Sequence, residues 1–260
     1  TEIAGGAYWH PEYDPLDPMT FDAPRLSFSH AVAAPQRPHR VAFAATIGGS
    51  PVDQETENIC RDSMQNFIDV GSKVEEITID LEDLEDTFLA LRSQEFVIER
   101  ELQLQQYRDQ IKPDIIWNTE LGLEQSIPTL AKAERARAAL YMQFTELFSQ
   151  YDLIVTPGAN TPAFDVELRY PEAIDGIKLE HYMAASTLTA AVTISASPAL
   201  SLPCGFDQYG RPIGLQLIGR PRGEAALLAA GALFEAESGL AEQVPIDPRH
   251  GTVPPTGKLT

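Results

Sequence analysis

The stretch that most constrains the fold is residues 197–234, S-P-A-L-S-L-P-C-G-F-D-Q-Y-G-R-P-I-G-L-Q-L-I-G-R-P-R-G-E-A-A-L-L-A-A-G-A-L-F. Its first apolar run, 199–202, reads as a buried strand. A turn follows over 207–211, which holds Asp207 and Gly210, and a second apolar strand spans 213–218. After a Gly-Arg-Pro loop, Ala225, Leu228, Ala232 and Leu233 fall at mostly three- and four-residue spacing and predict a helix with those residues on its apolar face. Strand, turn, strand and helix punctuated by glycine is the composition of an α/β core.

The rest of the chain supplies the partners for that core. Residues 40–47 predict a strand, 48–53 a turn, 54–70 a helix and 74–80 a second strand. Asp53 is placed to cap the helix and Gly71 to stop it. This is a βαβ unit, most simply a right-handed crossover between parallel strands. Two long helices are predicted over 84–110, with Phe88, Leu91, Phe96 and Leu102 as the apolar face, and over 128–150, with Ala133, Ala136, Leu140, Phe144 and Leu147. A buried strand over 153–156, a surface loop over 159–176 and a small-residue helix or helix pair over 181–195 complete the order. Residues 1–38, rich in Pro, Asp and aromatics, read as an extended N-terminal arm; 39–246 form the α/β unit; 247–260, with three prolines, form a surface tail.

Composition narrows the function. With 38 acidic against 19 basic residues the net charge is -19, which argues against a nucleic-acid partner, because phosphate binding rests on Lys and Arg. No apolar run reaches the roughly 18–20 residues of a membrane helix, so no membrane partner is expected. Cys60 and Cys204 lie in different contexts and read as buried free thiols suited to a reducing cytoplasm. No secretion leader precedes them, and a cytoplasmic location is expected; the sequence opens at Thr1, so the chain is either processed or a piece of something longer.

Few residues offer chemistry of their own. Gly48-Gly49-Ser50 sits between a strand and a helix start, reads as a simple turn, and lacks both the G-x-S-x-G elbow and the phosphate-loop spacing. His10, His30, His39, His181 and His250 are scattered without metal-ligand spacing, so no metal is expected. Trp117, between the two long helices, could enter a cleft and suit an apolar or aryl ligand, or could simply pack in a core or lid.

The motifs of 197–234 resemble the C-terminal part of amidase signature enzymes, whose pattern is Pro-Ala-x-Ser-x-Pro-x-Gly-Phe, then Leu-Pro-Val-Gly-Leu-Gln-Leu-x-Gly, then Glu-x-x-Leu-Leu. Tyr13-Asp-Pro-Leu-Asp-Pro-Met19 is similar to the family's connector after its catalytic half, and the Trp117-Asn-Thr-Glu-Leu-Gly-Leu run resembles one bacterial amidase subgroup. The resemblance implies an α/β fold with a mixed, largely parallel central sheet flanked by helices. It implies amide cleavage through a serine acyl-enzyme, with a second serine and a lysine as the proton-transfer partners and no cofactor.

By the same resemblance Trp117, Thr189, Thr193 and Ile194 are the candidate substrate-binding residues, with Thr187 beside them; core packing is the competing role for each. No catalytic residue can be placed. The sequence has no Gly-Gly-Ser-Ser-Gly signature, and Lys73, Lys112, Lys132, Lys178 and Lys258 do not sit in the family's lysine motif. The expectation is therefore a C-terminal amidase portion that acts on a small, fairly apolar carboxamide only together with a catalytic half or partner chain. Exposed apolar surface is expected over 199–202 and 213–218, to be covered by that partner or by a second copy in a homodimer. One alternative is the A-type subunit of a glutamine-dependent tRNA amidotransferase, against which the expected arginine near Lys112-Pro113 and aspartate near Ala185-Ser186 are missing. The other is a non-catalytic binding or interaction domain.

Overall fold

In the computed structural model, residues 27–240 are described. Most of the arm and all of the 247–260 tail lie outside them. Five strands form one sheet in the order β2-β1-β3-β7-β6: β1 (Arg40–Phe43), β2 (Lys73–Glu76), β3 (Leu153–Pro157), β6 (Ala199–Phe206) and β7 (Pro212–Ile218). Strand β1 runs parallel to both β2 and β3, whereas β3–β7 and β7–β6 are antiparallel. The sheet is thus mixed, with parallel pairing on one side of β3 and an antiparallel hairpin on the other. Two-residue strands β4 (Ala173–Ile174) and β5 (Ile177–Lys178) pair across the end of the predicted 159–176 loop, β5 lying just beyond it.

Helices cover both faces. The alternation of side chains along a strand sends Val41, Phe43, Leu153, Val155, Leu215 and Leu217 to one side. There they meet Cys60 of α2 (Gln54–Ser63), Phe67 of α3 (Gln65–Asp69), and Leu227 and Phe234 of α8 (Glu224–Ser238). On the other side Ala42, Ala44, Ile154 and Ile218 pack against α4 (Leu84–Tyr107), α6 (Ile127–Gln150) and α7 (Thr187–Ile194), chiefly through Leu140, Phe144, Phe148, Leu188 and Ala191.

Local signals explain most boundaries. Asp53 Oδ1 accepts from the N–H of Thr56 at 2.8 Å and caps α2, and Gly71 takes φ +88° where the helical segment ends. The predicted 54–70 helix breaks at Met64, whose N–H bonds three residues back to Arg61 while the Ser63 hydroxyl donates to the Cys60 carbonyl. That side-chain competition for a helical acceptor tightens the turn. Strands β1 and β2 are shorter than the predicted 40–47 and 74–80, but an isolated parallel bridge between Ile47 and Ile79 prolongs their alignment. Asp152 joins the start of β3 to β1: its Oδ2 accepts the N–H groups of His39 at 2.8 Å and Arg40 at 3.1 Å. At the β2 edge, Lys73, Tyr151 and Arg40 surround the Glu75 carboxylate and hold its pKa down at about 2.

Three expectations need correction. Within the arm, 28–33 is not extended: α1 (Phe28–Ala33) forms because Ser27 Oγ accepts the His30 N–H, and it packs on α8. In α8 the most buried side is Leu227, Ala230 and Phe234, while Ala225, Leu228, Ala232 and Leu233 are half-buried; the helix is apolar almost all round, so sequence spacing could not fix its inward face. The apolar patch expected over 199–202 and 213–218 is largely covered, since Ile213, Leu215, Leu217 and Ile218 are buried beneath the helices. What remains open is the outer strand β6, whose exposed residues are Ala199, Ser201, Pro203 and Phe206. Among the described residues β6 has no partner beyond β7.

Candidate functional site

Helix α7 separates a buried face from an open one. Leu188, Ala191 and Val192 enter the core, so Thr189 and Thr193, four residues apart, emerge together on the exposed side. Their hydroxyls donate to backbone carbonyls of the same helical segment, Thr189 to Ser186 at 2.9 Å and Thr193 to Thr189 at 3.0 Å. The helix ends at Ser195, whose hydroxyl donates to the Val192 carbonyl at 2.8 Å, and the chain reverses through Ala196 in a left-handed conformation, φ +54°. It then enters β6, so the exposed stripe of α7 leads directly onto the open strand.

Beside the end of α7 lies a cavity of about 740 Å³. Its apolar wall is built by Phe88, Leu91 and Phe96 of α4, Tyr141 and Met142 of α6, and Ile194 of α7; Thr193 and Ala196 form the lip. Arg92, Glu95, Glu99, Glu134 and Arg137 ring it, with Arg137 paired to Glu134 at 2.6 Å. The Arg92 guanidinium lies over the Phe96 ring, 4.7 Å from its centroid, which turns one charged group toward the aromatic wall. A concave apolar space with a few polar groups at its rim is the usual form of a small-molecule site.

Trp117 is not part of that wall. It sits on α5 (Pro113–Leu123), half-buried, with its ring 5.5 Å from His181 and 5.9 Å from Tyr182. A hydrogen-bonded path joins the two places: Arg92 Nε donates to Asn118 Oδ1 at 3.2 Å, and Asn118 Nδ2 donates to Tyr182 Oη at 2.7 Å. Asn118 is buried, so this path fixes α4, α5 and the 3₁₀ turn Tyr182–Ser186 relative to one another.

The structure therefore brings Thr193 and Ile194 to one cavity, leaves Thr189 exposed one turn earlier, and leaves Trp117 out of the lining, beside Asn118, which bonds Arg92 of the rim. Sequence reasoning missed Arg92, Asn118 and Tyr182. Pro113 at the first position of α5 was the available signal, because a proline there commonly opens a helix and would have put Trp117 and Asn118 on one.

Ser50 is committed elsewhere. It is buried, its hydroxyl donates to Thr187 Oγ1 at 2.5 Å, and Thr187 passes the chain on to the Ala184 carbonyl at 3.3 Å. Gly48 and Gly49 adopt φ +60° and +69°, the geometry of the predicted turn. Among the described residues no imidazole, amine or carboxylate is hydrogen-bonded to the Ser50 hydroxyl, so nothing in this arrangement would activate it. Among the described residues no cluster of His, Cys, Asp and Glu is arranged to hold a metal ion, and no helix is long and apolar enough to cross a membrane.

A family model described as Amidase matches residues 7–228. Among curated proteins, the chain is similar to an acylamidase of Rhodococcus erythropolis, 25% identical over 236 residues, covering 90% of this chain and 50% of that protein. It is also similar to the A-type subunit of the glutamyl-tRNA(Gln) amidotransferase of Levilactobacillus brevis, 31% identical over 219 residues, covering 82% of this chain and 38% of that one. Among solved structures, a bacterial aryl acylamidase superposes with a TM-score of 0.78 at 20% identity, over 88% of this chain and 49% of that chain. A 6-aminohexanoate cyclic dimer hydrolase in complex with substrate gives 0.72 at 17%, over 87% and 51%. The chain spans about half the length, or less, of these relatives.

Proposed function

Because the chain belongs to the amidase signature family, we propose that it forms the C-terminal portion of an amidohydrolase that cleaves a small, fairly apolar carboxamide to an acid and ammonia or an amine. On this reading the serine nucleophile and its proton-transfer partners come from residues outside this sequence, and the chain provides a substrate wall. The observation that carries the substrate class is the aromatic and aliphatic cavity at the end of α7, with Thr193 at its lip and Phe88, Phe96 and Tyr141 inside. Its volume of about 740 Å³ is in the range of cavities that hold small organic ligands. The exposed α7 stripe and the open β6 strand give the catalytic portion a place to pack.

The test uses the protein together with whatever longer chain or companion polypeptide intact-mass measurement finds with it. Thr193→Trp fills the lip of the cavity and should raise KM for an aryl amide at least tenfold while sparing acetamide; equal effects on both substrates would refute the assignment of the cavity to substrate. Amide hydrolysis by the 260-residue chain alone, sensitive to serine reagents, would refute the requirement for an outside nucleophile.

A second reading, an amidotransferase A-type subunit, is favoured by the 31% identity to that protein. Against it, Ala185-Ser186 just ahead of α7 and Lys112-Pro113 at the start of α5 lack the aspartate and arginine that the resemblance would place there to hold glutamine. Glutaminase activity stimulated by partner subunits would select it over the hydrolase.

A further inference from the structure

The two cysteines, 144 positions apart, meet in the fold: Cys60 Sγ of α2 and Cys204 Sγ of β6 are 3.7 Å apart, and neither is in a disulfide. Cys60 is buried and Cys204 half-buried, so Cys204 is the less enclosed of the two. Cys60 Sγ also faces the Gly214 carbonyl at 3.6 Å and Cys204 Sγ the Ile213 carbonyl at 3.4 Å, contacts that keep both sulfurs at the same point of β7. Cys204 lies where the β6–β7 register shifts between Pro203 and Gly205, on a strand with no neighbour on its far side among the described residues. A bulged outer strand can move by an ångström or two without disturbing a second ladder. The sulfur–sulfur contact with Cys60 holds the Cys204 thiol below its usual range against the opposing effect of burial, and the same contact together with burial pushes Cys60 up. The less buried cysteine is thus also the one more readily ionised, the condition for a reactive cysteine beside a resolving one.

We propose that Cys60 and Cys204 form a peroxide-reactive dithiol that closes to an intramolecular disulfide and ties α2 to the open strand. The Cys204 thiolate attacks one oxygen of a hydroperoxide, the O–O bond breaks, and the departing oxygen takes a proton to leave as water or alcohol. Cys204 becomes a sulfenic acid. The Cys60 sulfur then attacks the Cys204 sulfur, the S–O bond breaks, and a second water leaves with the Cys60 proton. Two thiols lose two electrons in all, and one hydroperoxide is reduced by two.

The experiment treats the reduced, folded protein with hydrogen peroxide, quenches with iodoacetamide in denaturant, and maps peptides without reduction. The expected result is a peptide pair joining Cys60 to Cys204, two hydrogens lighter, with both alkylation sites lost and both recovered after dithiothreitol. In urea the same link should form at least about tenfold more slowly, because proximity is lost. In Cys60→Ser, dimedone should trap a sulfenic acid at Cys204, and in Cys204→Ser the remaining Cys60 should stay alkylatable. Two free thiols after peroxide, Cys204 passing to sulfinic acid with Cys60 still free, a link between chains, or equal rates with and without urea would each overturn the proposal. The wild-type mapping decides it even if either variant fails to fold.

Discussion

Gly122 is the position where replacing one hydrogen by a methyl group should be felt most sharply. It lies in α5 where that helix crosses α4, and a Cβ placed there would come within 2.6 Å of Val97 Cγ2 and 2.8 Å of the Ser93 carbonyl carbon, and closer still to the Ser93 carbonyl oxygen. Two effects oppose each other. Helix propensity favours alanine over glycine by about 1 kcal/mol. Overpacking costs about 1–3 kcal/mol where side chains can yield, and more where they cannot. Here the obstacle is backbone, fixed by the helical ladder of α4, so α4 and α5 must separate and strain the partly buried Arg92–Asn118 hydrogen bond. Steric cost should win, with Gly122→Ala less stable by about 2 kcal/mol net, or roughly 4–8 °C in Tm for a protein of this size. Urea unfolding followed by circular dichroism, with thermal melts alongside, measures it. Val97→Ala removes only the side-chain overlap, so Gly122→Ala should remain destabilising in that background. A Gly122→Ala protein as stable as its parent, or full recovery on adding Val97→Ala, would refute the argument that a backbone contact sets the cost.

The other predictions are local. Asp53→Ala removes the acceptor for the Thr56 N–H and hydroxyl and should cost about 1 kcal/mol in urea unfolding. Asp207 lies buried in the β6–β7 turn; burial opposes its ionisation, but the Arg211 N–H and guanidinium and the Tyr209 N–H outweigh it and lower its pKa. Its contribution to stability is therefore complete above the unfolded value near 3.9 and lost as pH falls through the lower folded value. Asp207→Asn should lose about 1–3 kcal/mol at pH 7 and show a flatter acid limb; an unchanged acid limb would count against it. Glu75, held at about 2, acts in the same direction, so Glu75→Gln should reduce the fall in stability between about pH 4 and pH 2.

The sequence made the skeleton legible where period and punctuation agreed. Asp53 and Gly71 marked a helical segment, and the two long helices differ from their predicted limits by no more than a few residues. The 197–234 stretch yielded its hairpin and helix in the right order. What stayed hidden depends on groups distant in the chain. Thr193 and Ile194 could be named, but the cavity they border needs Phe88 and Tyr141 from two other helices. Cys204 meets Cys60, 144 positions away, at a register shift in β6 that no local pattern announces. The inward side of α8 failed for the opposite reason, since a helix of alanines and leucines offers no contrast from which to read a face.

The change of direction at β3 also bears on the order in which the molecule assembles. The β6–β7 hairpin closes between Phe206 and Pro212, a short loop that can form on its own in microseconds. Strand β3 must in addition find β1, pairing Val41 with Leu153 across the whole helical excursion that contains α4, α5 and α6. The central strand thus waits for contacts of very different reach, and loop-closure entropy makes the longer one slow. During synthesis β1 and β2 emerge well before β3, so the centre of the sheet is completed late, by a strand inserted between a ribbon already made and a hairpin still to come.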